Sequence, residues 1–427
     1  MNENIANKQL KQYSEAKNSM YYTIGGMVYY FLIWILSVLV VRISGYEAAG
    51  IFSICMSITS SPAVVALYNM RSFQVSDIHG EYSNKTYVNT RYFCGIASMI
   101  FCLVLILIYG YDFNKAIIIL AYMVVKVCEG IADAYYGIEQ MWMRLDLCGI
   151  SYILRGVACC VAFTVTLFIT DDMFLAMLFM AIAALICVFG IDGTIRKKYE
   201  PIYQPQQKTL KGGSPWKLLA ICTPLCIVGV LNNFTYTVPK IYLEGFHGSE
   251  IMGFYSSVAS PTVVVQLIAQ TLFLPIIPGL TAIYEKGDKK AFLGRLGKFF
   301  GLALGLTVVC LVGAHFLGEV VLVFLYGEGI RPYAYLFVYV IMASVVAAVS
   351  AVLMYTCTLM RILIPQCIAG VVGIASSIAL SYGMIQHAEN PMFATLLTII
   401  IATGAYCIVE IVLIGIKVAK MKKTDKE

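Results

Sequence analysis

The chain has 427 residues, of which 60% are hydrophobic and 13% charged, with a mean hydropathy of +0.81. A water-soluble fold keeps a polar exterior, so this composition excludes one and places the chain among polytopic α-helical membrane proteins. The net charge of +6 calls for no nucleic acid, because a basic excess on inner loops faces an anionic leaflet.

Twelve apolar runs approach the ~20 residues that cross a bilayer core. They predict spans at 20–42, 48–70, 92–111, 115–139, 148–170, 172–191, 218–238, 251–274, 297–317, 333–356, 363–384 and 392–416. The expected class is an all-α polytopic membrane protein with two pseudo-symmetric six-helix lobes. The first span follows Lys8, Lys11 and Lys17, exceeds a signal-peptide core and lacks a small-residue cleavage site, so it is expected to remain in the mature chain.

Between spans 2 and 3 lies MRSFQVSDIHGEYSNKTYVNTR, residues 70–91. Two readings stand: an inner-face gate in which Arg71 and Asp77 pair with the other half, or a solvated loop kept for topology. In span 4, Lys126, Glu129, Asp133 and Gln140 share one helical face. A charge at the bilayer centre costs about 2.5–3.5 kcal/mol on insertion scales, so that face should meet a polar cavity or partners. Arg155 in span 5 lies as deep as Asp133, which predicts an Asp133–Arg155 pair. Lys126, Glu129, Asp133 and Arg155 sum to zero formal charge, so a self-neutralising network stands beside substrate or ion contact. Residues 193–217, with Arg196, Lys197 and Lys198, read as a cytoplasmic linker between an N-terminal lobe, 1–192, and a C-terminal lobe, 218–427. Glu410 in span 12 has no basic neighbour within four positions and is a candidate for an ion or proton, or a water-exposed structural carboxylate.

Basic residues set the orientation. With the N-terminus inside, 24 of the 30 Lys and Arg fall on inner segments, four on outer ones (Arg42, Lys115, Lys240, Arg331), and Lys126 and Arg155 within the membrane. Both termini are therefore expected in the cytoplasm. The halves also repeat. Glu47 to Ser53 (EAAGIFS) and Glu250 to Ser256 (EIMGFYS) share E-x-x-G-[IF]-[FY]-S at an offset of 203, each opening an outside-to-inside span. Six spans separate the copies, so the halves share one orientation about an axis along the membrane normal. Arg42 and Lys240 precede the two copies and are expected to face each other at the outer mouth.

Catalytic and cofactor signatures are missing. The 14 cysteines scatter through apolar runs without a C-x-x-C pair and read as small buried hydrophobes. Four histidines lack ligand-like neighbours, so no metal is expected. No phosphate-loop motif occurs, and the loops are too short for a catalytic domain. The expectation is a non-enzyme that acts within the membrane without a cofactor.

Arg71, Gln74, Asp77 and Gly80 after span 2 resemble the first cytoplasmic loop of Wzx-type polysaccharide flippases, in the multidrug/oligosaccharidyl-lipid/polysaccharide (MOP) exporter superfamily. Glu129, Asp133, Gly137, Gln140, Arg144, Asp146, Gly149 and Ser151, the stretch from Asn233 to Pro239-Lys240, and the E-x-x-G-x-[FY] openings are similar too. The resemblance implies a two-lobed flippase that moves an undecaprenyl-diphosphate-linked glycan across the cytoplasmic membrane for surface polysaccharide synthesis. Membrane lipids would surround it, and a polysaccharide polymerase and glycosyltransferases are candidate partners. A lipid diphosphate needs a wet, partly cationic path. Arg42, Lys126, Arg155 and Lys240 are the basic residues available for it, and Asn233 joins them from the matched part of span 7. Arg71, Asp77, Glu129, Asp133 and Glu410 are the candidates for gating or ion coupling. A cation-coupled multidrug exporter shares the architecture but would favour carboxylates over basic residues around its cargo.

Overall fold

The computed structural model describes residues 14–77, 80–203, 213–262 and 277–421, which are helical apart from short connections. The chain termini, the middle of the linker (204–212) and the second part of predicted span 8 lie outside the described residues.

The helices in chain order are α1 (Glu15–Leu67), α2 (Met70–Ser76), α3 (Asn84–Tyr109), α4 (Phe113–Met141), α5 (Leu145–Thr170), α6 (Met173–Ile186) and α7 (Gly193–Tyr203). There follow α8 (Pro215–Ala259), α9 (Ile277–Glu285), α10 (Lys289–Tyr326), α11 (Leu336–Leu359), α12 (Leu363–Leu380) and α13 (Pro391–Ala419). Short polar side chains start several of them by accepting a backbone N–H of the first turn. Ser83 does so for α3, Asp112 for α4, Asp172 for α6, Asp288 for α10 and Asn390 for α13.

Among the described residues nine helices are long and apolar enough to cross a membrane. Of these, α1 is long enough for two crossings, and α8 holds predicted span 7 and the start of span 8, whose remainder lies outside the described residues. At about 1.5 Å per residue, the 53 residues of α1 and the 45 of α8 would each exceed twice a ~30 Å core if straight. Both break at a glycine. Gly45 has φ 84° and Gly248 φ 86°, left-handed values that a Cβ disfavours. Gly45 and Gly248 are 203 apart, the offset of the sequence repeat. The remaining crossing is α4, which carries Lys126, Glu129, Asp133 and Glu139 and so falls outside an apolar criterion.

Two boundaries differ from expectation. Helix α3 starts at Asn84, not 92, so Arg91 lies two turns inside a helix instead of in a loop. The expected linker begins as helix, because α6 passes through one π turn, Cys187–Asp192, directly into α7.

The chain forms two compact units, Met1–Leu39 with Ile58–Cys226, and Val40–Ser57 with Ile227–Glu427. In the first, α3, α5 and α6 pack around α4, and Met70, Tyr87, Leu218 and Cys222 form an apolar cluster at one end. In the second, α13 packs between α11 and α12, with a core that includes Phe292, Leu353, Cys357 and Ile414. All fourteen cysteines are free thiols, eleven of them buried.

Candidate functional site

The polar face of α4 organises the first unit. Helix α1 ends in two successive left-handed residues, Tyr68 (φ 48°) and Asn69 (φ 46°), a conformation that costs free energy without glycine. The bend is held by Tyr68 Oη with Thr223 Oγ1 (3.0 Å) and by Asn69 Nδ2 donating to Leu225 O (3.1 Å). It delivers the short helix α2 onto α4. There Gln74 Nε2 donates to Ala134 O at 3.1 Å, in a space that a Cβ on Gly137 would fill.

Helix α2 thereby sets Arg71 against α4. Its guanidinium donates to Gln140 Oε1 (2.9 and 3.2 Å), Tyr22 Oη (2.9 Å) and Asp133 Oδ1 (3.4 Å), and lies 4.9 Å from the centre of the Tyr22 ring. Behind it, Arg91 donates to Asp133 Oδ2 at 2.6 Å with a side chain 0% exposed. Asp133 is thus clamped between a buried arginine and a partly exposed one. The expected Asp133–Arg155 pair does not form. Depth alone paired them, whereas the side chains leave their helices toward different neighbours. Asp133 is taken by Arg91, a partner that a helix beginning at 92 would leave in a loop. The N-cap Ser83 with Thr86 three residues on was the signal that could have found it.

Arg155 is 1% exposed, with its guanidinium 5.1, 5.4 and 5.6 Å from the ring centres of Tyr29, Tyr152 and Tyr136. It is therefore not open to cargo, contrary to expectation. Next to this box, Tyr136 Oη and Ser151 Oγ are 2.8 Å apart, and Ser151 donates to buried Asp192 Oδ1 at 2.5 Å. Lys126 and Glu129 form an i,i+3 ion pair at 2.9 Å, and Tyr29 also donates to Glu129 Oε1 at 2.6 Å. Both ionic side chains are 19% exposed. With Arg71 and Arg91 included, these six charges sum to +2; the four that are partly exposed, Arg71, Lys126, Glu129 and Asp133, sum to zero, and buried Glu139 and Asp192 add two carboxyl groups behind them.

Asp77 turns inward on its own segment. Its carboxylate accepts from Glu81 N (2.9 Å), Tyr82 N (3.0 Å) and Tyr87 Oη (3.0 Å), and so closes the loop between α2 and α3.

In the second unit, Arg42 donates to the carbonyls of Val323, Phe324 and Leu325, the last at 2.7 Å through Nε. Lys240 is half-buried and has no ion pair or hydrogen bond among the described residues. The two are not equivalent, which corrects the expected facing pair. Arg42 precedes its glycine break by three residues and Lys240 by eight, a difference of about 7.5 Å along a helix. Asn233 donates to Gly229 O one turn back in its own helix, and its neighbour Asn232 reaches Ser350 Oγ (3.4 Å). Glu410 is 0% exposed, accepts from Gln366 Nε2 at 2.7 Å, and its Oε2 has no hydrogen-bond partner among the described residues. No group of three or more His, Cys, Asp or Glu could hold a metal ion among the described residues.

Residues 16–283 match the family model described as "Polysaccharide biosynthesis protein". The chain belongs to that family. A relative, the capsular polysaccharide biosynthesis protein CapF of Staphylococcus aureus, is 25% identical over 315 residues, 73% of this chain and 77% of that protein. Among solved structures, an inward-facing multidrug-resistance MATE transporter of the MOP superfamily superposes with a TM-score of 0.67 at 10% identity, covering 96% of this chain and all of that one. A MOP transporter from Pyrococcus furiosus, described as having a binding pocket of reverse polarity, gives 0.59 at 13% identity over 97% and 98%. This polysaccharide biosynthesis protein therefore has the all-helical fold of the MOP exporters, and family and fold point to a transporter. Several positions that carried the sequence resemblance serve packing. Arg144 pairs with Asp146 at 2.8 Å, and Gly149 meets the backbone of α1 at Tyr21 and Gly25.

Proposed function

We propose that the protein is a flippase that carries an undecaprenyl-diphosphate-linked oligosaccharide across the cytoplasmic membrane by alternating access, with both termini in the cytoplasm. The observation that carries this is the set of cations on the α4 wall. Arg71 and Lys126 are partly exposed, each beside a carboxylate, with the buried Arg91 and Arg155 behind them, and they are set among Tyr22, Tyr29 and Tyr152. A guanidinium grips phosphate oxygens in a fork, and an ammonium adds a point charge. Tyrosine faces suit the apolar sides of pyranose rings, and their hydroxyls suit sugar hydroxyls. Lys240, with Asn233 on the same helix, is the corresponding candidate in the second unit, and Arg155 and Arg91 act from behind the α4 wall as positioning residues.

Glu410 is assigned to energy coupling. Its charge has no basic partner among the described residues, so a monovalent cation or a proton suits it. The same observation favours the second reading, a cation-coupled drug exporter.

The two readings separate in one experiment. Arg71→Gln with Lys126→Gln removes the exposed charge and keeps side-chain polarity. Surface polysaccharide should fall and lipid-linked repeat units should accumulate on the inner leaflet, at unchanged protein level and drug sensitivity. Normal glycan display with altered drug sensitivity would instead support the exporter.

A further inference from the structure

The function above leaves the seven-residue repeat unused, yet the second unit brings its two copies into contact. A Cβ on Gly50 would overlap Ser249 O, and one on Gly253 would overlap Tyr46 O, so the backbones of the two copies touch where each motif has its glycine. The contact is reciprocal, as expected where two-fold-related helices cross at their axis. Around it, Tyr46 stacks on Phe254 with ring centres 4.1 Å apart, and Phe254 in turn lies 4.7 Å from Tyr333. Tyr46 Oη donates to Tyr326 O (3.0 Å), and Tyr326 Oη bonds Ser260. Arg42 closes the group. Its three acceptors, the carbonyls of Val323, Phe324 and Leu325, lie in the last turn of α10, where the helix dipole is negative; Val323 O also accepts the Gly327 N–H at 2.8 Å. Gly327 has φ 90°, which turns the chain away and leaves the carbonyls of Phe324 and Leu325 open to Arg42.

We infer that the paired repeats form an outer seal and that Arg42 is its latch, a guanidinium that caps α10 while the seal is shut and must let go for cargo to leave. This gives Arg42 a different task from cargo binding. The hydrogen bonds of residues 42–46 run to residues 323–326, and the stack and close backbone contact of residues 46–50 run to residues 249–254, so moving the first segment breaks them together. The apolar stack excludes water, and the latch supplies charge-assisted bonds that hold without a buried carboxylate.

The inference rests on the flippase reading for what passes the seal, but its test uses no cargo. Met252, beside the crossing, is 0% exposed. A Met252→Cys reporter, in a background whose accessible native cysteines are replaced, is labelled with a membrane-impermeant maleimide in right-side-out and in inverted vesicles. With the seal intact, labelling is slow from both sides. Arg42→Gln should raise the rate about tenfold from the outside only, the loss expected for charge-assisted bonds exchanged for neutral ones. Gly50→Ala should raise it as well, since its Cβ cannot coexist with the crossing, and chromatographic homogeneity checks that both variants are folded. Unchanged outside labelling in both folded variants, or an increase from the inner side, overturns the inference. An open seal with normal glycan export would count against the link to transport and leave the latch itself standing.

Discussion

Replacing Asp133 by Asn tests the central contact of the α4 wall. The change removes the carboxylate partner of Arg91, whose side chain is 0% exposed and whose only other hydrogen bond among the described residues runs to Ala66 O at 3.3 Å. Breaking a buried pair on one side costs about 3–5 kcal/mol, because the remaining charge is uncompensated. Asp133 is 16% exposed, so water screens part of the pair and the lower figure, ~3 kcal/mol, is expected. Arg91→Met removes the buried charge itself and leaves Asp133 with Arg71 and water, at a cost of about 1 kcal/mol. In the double variant neither orphan remains, so it should be more stable than Asp133→Asn alone, with a coupling of about 2 kcal/mol. Reversible unfolding of the four detergent-solubilised proteins, titrated with sodium dodecyl sulfate and followed by tryptophan fluorescence, measures this. Additivity within about 0.5 kcal/mol would refute the reasoning. The exchange Asp133→Arg with Arg155→Asp should rescue nothing, since Arg155 sits in its tyrosine box.

Three more outcomes are expected. Reporter fusions after Lys217 and at Glu427 should be active only in the cytoplasm; an external signal at either site defeats the proposed orientation. Gly137→Ala places a methyl group on the Gln74 amide and should cost about 1–3 kcal/mol by overpacking while lowering export through a displaced Arg71, so a variant as stable and active as the parent argues against the α2–α4 contact. Glu410→Gln keeps an oxygen for Gln366 but removes the charge. Protein level should hold while export in vesicles loses its dependence on pH or sodium, and a wild-type ion response would exclude Glu410 from coupling.

Hydropathy made the helical class and the long apolar helices legible, because a bilayer imposes length and apolarity on every span. The repeat was legible too, since Gly45 and Gly248 break their helices at the predicted offset. Partners were not. The face of α4 followed from periodicity, but which arginine meets Asp133 depends on where α3 begins and how the chain bends before α2; Asn69 is of a type that tolerates the left-handed region, while Tyr68 carries no such sign. Arg42 and Lys240 misled for a related reason. Both precede a repeat copy, but one stands at the helix end and the other a turn and a half deeper. Arg155 was visible as a charge, while its tyrosine partners, spread over α1, α4 and α5, come together only in three dimensions.

The crossing of the two repeats also says something about the history of the halves. Once a duplicated segment packs against its own copy, each copy becomes the other's environment. A methyl group on Gly50 meets the neighbourhood of Gly253, and one on Gly253 meets that of Gly50. Divergence in one copy cannot be absorbed by the other staying as it was, so the two stretches share a single tolerance for change. A short match surviving at the crossing is what such mutual confinement leaves behind.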